Sequence, residues 1–83
     1  MRKKENKTIE QLFDETLRQL RTKKGLSQEE LGFESGYHRT YISLLERGKK
    51  SPSLKTIFQL AAALNIKPSE IIKLIQADSE LFK

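Results

Sequence analysis

The chain has 83 residues, a formal net charge of +5, one histidine and no cysteine. This length supports one domain with a thin core, and the lack of cysteine excludes a disulfide framework and a thiolate metal site. No apolar run approaches the roughly 18 residues that a membrane span needs. We therefore expect a soluble cytoplasmic protein without metal or cofactor, whose basic surplus favours a polyanionic partner.

Predicted helix 1 runs from about Ile9 to Lys24, with Thr8 as N-cap and Gly25 closing it. Apolar residues recur along it every three or four positions, and this helical spacing continues through the chain without an alternating strand pattern. The sequence predicts an all-α domain of five helices over residues 8–78. A basic flexible N-terminal arm, residues 1–7, precedes it, and a tail, residues 79–83, follows.

Predicted helices 2 and 3 are short and joined by a tight turn. Ser27 and Glu30 form a capping box at the start of helix 2, which ends at Gly36. Helix 3 covers about 39–46, with His38 as candidate N-cap. Its inner face is apolar and its outer face polar, which is typical of a helix-turn-helix whose second helix enters the DNA major groove.

Predicted helix 4 opens at Ser53 and runs to about Leu64, with apolar residues over an arc wide enough to be buried on more than one side. Predicted helix 5 starts at Pro68, a favoured first position. Its isoleucines exceed what one thin core needs, so we expect dimerisation through this helix. Leu81 and Phe82 are either a frayed tail or a dimer contact, with the contact favoured. The predicted dimer interface is thus Ile71, Ile72, Ile75, Leu81 and Phe82.

The residues of predicted helices 2 and 3 suit contact with DNA. Arg39 can donate two hydrogen bonds to guanine, and Thr40 and Ser43 can bond base edges or touch a thymine methyl. Tyr41 is either a core residue or a donor to phosphate. Side chains expected at the DNA backbone flank the recognition helix on both sides: Gln28 at the start of helix 2, and Arg47, Lys49 and Lys50 after helix 3.

A series of motifs carries a family resemblance. It comprises the segments 26–31 (LSQEEL), 35–36 (SG), 39–43 (RTYIS), 45–48 (LERG) and 52–54 (PSL). The series resembles the phage Cro/CI-type, or Xre-like, helix-turn-helix repressor family over roughly residues 9–76. RTYIS with Glu46 and Arg47 is more narrowly similar to controller proteins of restriction–modification systems, which is the favoured subtype.

The resemblance implies a five-helix lambda-repressor-like fold. It also implies a homodimer that binds a two-fold symmetric operator on double-stranded DNA and regulates transcription. By position, Gln28 would contact phosphate. Arg39, Thr40 and Ser43 would face bases, and Leu44 occupies another groove-facing position. Arg21 and Glu46 match a paired arginine and glutamate that tie helix 1 to the end of helix 3.

Three residues depart from the family pattern. Gly32 stands where an alanine usually packs between the two helices, and we expect it to loosen helix 2 by up to about 1 kcal/mol. Tyr37 replaces an aliphatic residue of the turn. Leu44 is apolar where a polar base reader is common, so the operator sequence does not follow from the helix alone.

A second class of function is an antitoxin-type module that binds a partner protein and autoregulates its operon. A toxin, or RNA polymerase for a regulator, would then be a further partner. An enzyme is not expected, because the sequence shows no grouping of nucleophile, base and orienting acid. RNA binding is not favoured either, because no aromatic stacking platform or glycine-rich clamp is present.

Overall fold

The computed structural model describes residues 7–79. This part of the chain forms five helices and no strand. They are α1 (Ile9–Lys23), α2 (Gln28–Ser35), α3 (Arg39–Glu46), α4 (Leu54–Leu64) and α5 (Pro68–Asp78). The five predicted helices are confirmed, with α1 one residue shorter than expected. Leu81 and Phe82 lie outside the described residues, as does most of the predicted N-terminal arm.

Local capping fixes the helix starts. The Thr8 and Ser27 side chains each accept from the backbone N–H three residues on, and Gln11 and Glu30 accept the reciprocal backbone bonds. His38 accepts from Thr40 N through Nδ1, as predicted, and Ser53 accepts from the N–H of Thr56. Each such cap contributes about 1 kcal/mol. Short helices such as α2 and α3 depend on these caps, because eight residues do not hold a helix on their own.

The core lies where the five helices meet. α2 packs on α3 and α4, while α1 packs on α3 and α5. Every helix contributes apolar side chains that are essentially buried: Phe13, Leu17, Leu31, Ile42, Leu45, Leu60, Ala61, Leu64 and Ile71. Within residues 7–79, no helix combines the length and apolar character that crossing a bilayer requires.

α4 differs from its prediction. Leu60, Ala61 and Leu64 are buried, but Leu54 and Phe58 are 71% and 56% exposed. The prediction that its wide apolar arc is buried on more than one side is therefore wrong for the single chain. A chain of this size builds one thin core, which covers only one face of α4.

Gly32 has a different role from the one expected. A Cβ at this position would lie 2.6 Å from the carbonyl oxygen of Tyr37 and 3.3 Å from the backbone nitrogen of Arg39. The missing side chain therefore lets the turn between α2 and α3 pack directly on α2. The helix propensity lost at Gly32 accompanies a close approach of the two backbones.

The carboxylate of Glu46 joins three helices. Its Oε2 accepts from Arg21 Nε at 2.6 Å, and its Oε1 accepts from Arg21 Nη2 at 2.9 Å and from Gln28 Nε2 at 3.1 Å. Arg18 donates through Nη1 to the Glu46 carbonyl at 2.7 Å. The structure thus contains the ion pair between Arg21 and Glu46, and the Glu46 side chain is only 2% exposed.

Removing this charge should destabilise the fold. We expect Glu46→Gln to lower the free energy of unfolding by about 3 kcal/mol, because Arg21 stays in a largely buried site without its counter-charge. Glu15→Gln is the matched control, since Glu15 pairs with Lys7 at a half-exposed position and should cost less than about 1 kcal/mol. Urea unfolding followed by circular dichroism measures both values. Equal losses would contradict a special role for Glu46.

Candidate DNA interface

The outer face of α3 carries the predicted base-reading residues. Arg39 and Thr40 are exposed in its first turn, and Ser43 and Leu44 are half-buried one turn later. The opposite face is locked into the core through Ile42, Leu45 and Glu46. The helix therefore presents short polar groups and one arginine on a rigid support.

The loop after α3 supplies positive charge. Arg47, Lys49 and Lys50 are exposed, and Arg47 Nε donates to the Ser43 carbonyl at 3.4 Å. This loop and the start of α1 line an open cleft of about 500 Å³. Within the cleft, Ser51 donates its hydroxyl proton to Glu10 at 2.6 Å, and this bond lowers the pKa of Glu10.

Gly48 brings that loop onto α1. Its φ of +69° lies in the left-handed region, and a Cβ there would be 2.8 Å from Asp14 Oδ2. Both features favour glycine, because a side chain would be strained and would also clash with the carboxylate. Gly48 therefore lets the basic loop that follows α3 lie directly against α1.

Gln28 and Tyr41 have partners within the protein. Gln28 is half-buried and uses one of its two amide hydrogens on Glu46. The backbone N–H groups that begin α2 point along the helix axis, as a phosphate contact requires. Tyr41 is half-buried and packs against the core, and its hydroxyl lies 3.3 Å from Thr56 Oγ1.

The predicted dimer residues divide between core and surface. Ile71 is 1% exposed and belongs to the core, so it supports the surface from beneath instead of forming it. Ile72 and Ile75 line an apolar groove of about 260 Å³ with Ile9, Pro52 and Ile57. The helical spacing of α5 pointed to all three isoleucines, but only the packing of α5 on α1 and α4 decides which one turns inward.

Sequence reasoning missed two features of the site. Arg18 bonds to the Glu46 carbonyl, and Thr56 bonds to Tyr37 in the α2–α3 turn and to Tyr41 in α3. Arg18 lies three residues before Arg21, so shared helix-face spacing could have indicated it. Thr56 had no such signal, because its partners lie 15 and 19 residues away in the chain.

Comparison with known proteins agrees with this geometry. The helix-turn-helix family model matches residues 17–71. The chain belongs to the helix-turn-helix family. The resemblance inferred from the sequence motifs is confirmed, and so is the five-helix fold.

Within the family, this helix-turn-helix protein groups with controller proteins. It is 43% identical over 65 residues to control protein C.BamHI of Bacillus amyloliquefaciens, covering 77% of this chain and 80% of that protein. It is 44% identical over 57 residues to control protein C.SmaI of Serratia marcescens, covering 69% and 68% of the two chains.

A solved structure of a controller protein has a similar fold and sequence. The restriction–modification controller protein C.AhdI of Aeromonas hydrophila superposes with a TM-score of 0.73 at 50% identity, covering 75% of this chain and 94% of that one. The antitoxin alternative is not favoured, because the relatives are named as control proteins or transcriptional regulators.

The free energy of unfolding should depend on pH through Asp14, whose carboxylate lies against Gly48 of the basic loop. Burial raises the pKa of Asp14, with the charge of Arg18 opposing the rise. The folded state then binds this proton more tightly than the unfolded chain, so the ionised carboxylate destabilises the fold above the raised pKa. That penalty is relieved as pH falls through the folded pKa. We expect Asp14→Asn to raise the free energy of unfolding at neutral pH.

The control for Asp14→Asn is Glu10→Gln, which should act in the opposite sense. The folded pKa of Glu10 is lowered, so its contribution is present above the unfolded pKa and is lost as pH falls through the folded value. Urea unfolding of the wild type and both variants between pH 3 and 7 measures how the free energy of unfolding of each protein changes with pH. This range covers carboxylate titration. A loss of stability in Asp14→Asn at neutral pH would contradict the desolvation argument.

Proposed function

We propose that this chain is the controller protein of a restriction–modification system, a homodimer that binds a two-fold symmetric operator and regulates transcription. One observation carries the assignment of the site: α3 presents Arg39 and Thr40 to solvent while Glu46 fixes its other face to α1 and α2. Identity of 43% to control protein C.BamHI and 50% to C.AhdI supports the subtype.

In the proposed complex, α3 lies in the major groove. Arg39 donates to guanine O6 and N7, Thr40 and Ser43 contact base edges, and Leu44 meets an apolar base surface such as a thymine methyl. These contacts read the sequence. Because Arg39 and Thr40 stand in the first turn of α3, the N-terminal end of the helix points at the base pairs.

A second set of groups would hold the phosphates. Arg47, Lys49 and Lys50 neutralise charge on one side of α3, and the start of α2 at Gln28 and the hydroxyl of Tyr41 donate to the backbone. Phosphate contacts of this kind set register and orientation without reading sequence. Glu10 adds a negative charge in the cleft beside this loop. The charge of Glu46 is paired with Arg21.

Arg39 and Lys50 should separate base reading from phosphate binding. Sites selected from random DNA with Arg39→Ala should show a weaker preference than wild-type sites at one base pair of each half-site, and binding should be weaker by about 1–3 kcal/mol per half-site. Lys50→Ala is the matched control. It should weaken binding on all sequences alike and reduce the slope of log K against log salt by about 1 for each protomer, which is about 2 for the homodimer. Uniform loss in Arg39→Ala would reassign Arg39 to phosphate.

The dimer is tested on α5. Ile72 and Leu74 are 44% and 47% exposed on the same helix, but they line different grooves. We expect Ile72→Glu to give a monomer in sedimentation equilibrium, because a charge would be buried unpaired in the interface. Leu74→Glu should remain a dimer. Monomer formation by Leu74→Glu alone would move the interface to the other side of α5.

Regulation by such a protein would follow its own concentration. The dimer holds two copies of α3, so it binds two half-sites about one helical turn apart. A monomer loses the second half-site and most of its specific affinity. The ratio of dimer to monomer would then set operator occupancy, with no ligand required.

A further inference from the structure

Five polar side chains meet where the start of α4 packs against the α2–α3 turn. We call this group the hydroxyl cluster: Tyr37, Tyr41, Ser53, Thr56 and Gln59. Thr56 is at its centre and only 3% exposed. Its Oγ1 lies 3.0 Å from the Tyr37 hydroxyl, 3.0 Å from Ser53 Oγ and 3.3 Å from the Tyr41 hydroxyl.

Counting protons fixes the direction of these bonds. Tyr37 donates its single hydroxyl proton to Gln59 Oε1 at 2.6 Å, because a carbonyl oxygen only accepts. The Tyr37 oxygen must therefore accept the proton of Thr56. Thr56 has then spent its proton, so Ser53 and Tyr41 both donate to it. One donor and two lone pairs complete the hydrogen-bonding capacity of the threonine hydroxyl.

Tyr41 is the member of the cluster that can exchange its partner. Its bond to Thr56 is the longest of those that Thr56 makes, and its side chain is half-exposed on α3. The Tyr41 ring also packs against Tyr37, with ring centroids 4.9 Å apart. A phosphate oxygen is a stronger acceptor than a neutral hydroxyl, because charge-assisted hydrogen bonds are about twice as strong.

We propose that Thr56 is a positioning residue for DNA binding, which holds the Tyr41 hydroxyl in place so that Tyr41 can donate to a DNA phosphate. This rests on the proposed function, in which Tyr41 contacts the backbone. In free protein, the bond to Thr56 and the packing on Tyr37 keep the ring in one orientation. On binding, rotation about the Tyr41 C–O bond redirects its proton to phosphate, and the Thr56 hydroxyl turns from Tyr37 to donate to the Tyr41 oxygen. Thr56 therefore stays bonded to Tyr41 in the free and the bound protein. This bond strengthens when Tyr41 donates to the charged phosphate, and the fixed ring loses less side-chain freedom on binding.

The cap of α4 does not depend on the Thr56 hydroxyl. Ser53 Oγ accepts from the backbone N–H of Thr56, which any residue at position 56 provides. Thr56→Val therefore removes the hydroxyl with little change of volume and leaves the helix start intact. Thr56→Ser keeps the hydroxyl, and Tyr41→Phe removes the donor that Thr56 positions.

The test is a double-mutant cycle on operator binding by fluorescence anisotropy. We expect Thr56→Val to weaken binding about fivefold for each protomer, and so roughly 25-fold for the homodimer on its operator, because each Tyr41 loses one hydrogen bond of ordinary strength. Thr56→Ser should restore wild-type affinity. Thr56→Val added to Tyr41→Phe should produce no further loss. Thr56→Ala repeats the cycle with a smaller side chain, and thermal unfolding of each variant checks that the fold is kept.

Three other outcomes would contradict the proposal or the role of Tyr41 on which it rests. An equal loss from Thr56→Val in the wild-type and Tyr41→Phe backgrounds would show that Thr56 does not act through Tyr41, and the proposal would be wrong. Wild-type affinity in Thr56→Val with weakened Tyr41→Phe would also overturn it, while leaving Tyr41 at the DNA backbone. Wild-type affinity in Tyr41→Phe would remove the phosphate role of Tyr41 itself, whereas base reading by Arg39 is tested separately.

Discussion

The carboxylate of Glu46 fixes the orientation of α3, and the proposed DNA-facing surface depends on it. Arg21 binds both carboxylate oxygens, Gln28 binds one of them, and Arg18 binds the carbonyl of the same residue. A buried charge is expensive to remove from water, and only a full set of partners offsets that cost. The net stabilisation is therefore small. These bonds instead fix one orientation of α3, because Arg21 of α1 and Gln28 of α2 can both reach Glu46 only when the three helices are correctly placed.

That orientation separates the residues that anchor α3 in the core from those proposed to contact DNA. Ile42 and Leu45 anchor α3, and the side chains on its outer face need not pack on anything. The basic loop after α3 is set in the same way, by Gly48 lying against Asp14. Asp14 is itself largely buried, and this burial raises the pKa of its carboxylate. Rigid support of this kind lowers the entropy lost when a surface binds its target.

Much of this could be predicted from the sequence where the cause is local. Capping at Thr8, Ser27 and Ser53 involves groups within three residues, and the apolar spacing of α1 and α3 follows the turn of the helix. The burial of α4 could not be predicted, because its apolar arc is wider than the surface that the other helices offer. Nor could Ile71 be distinguished from Ile72, since neighbours on α5 carry identical side chains.

By itself, the sequence determined five helices, the helix-turn-helix, the ion pair between Arg21 and Glu46, and the family. The helices and the turn follow from short-range patterns, whereas the ion pair, between residues 25 apart in the chain, was implied by the family resemblance. Only the tertiary structure decided that Gly32 allows the turn to approach α2, and that Thr56 joins two tyrosines. The first depends on how closely the turn folds back on α2, and the second on which atoms of α4 meet the turn and α3, and both are set by packing of the core and not by any local sequence pattern.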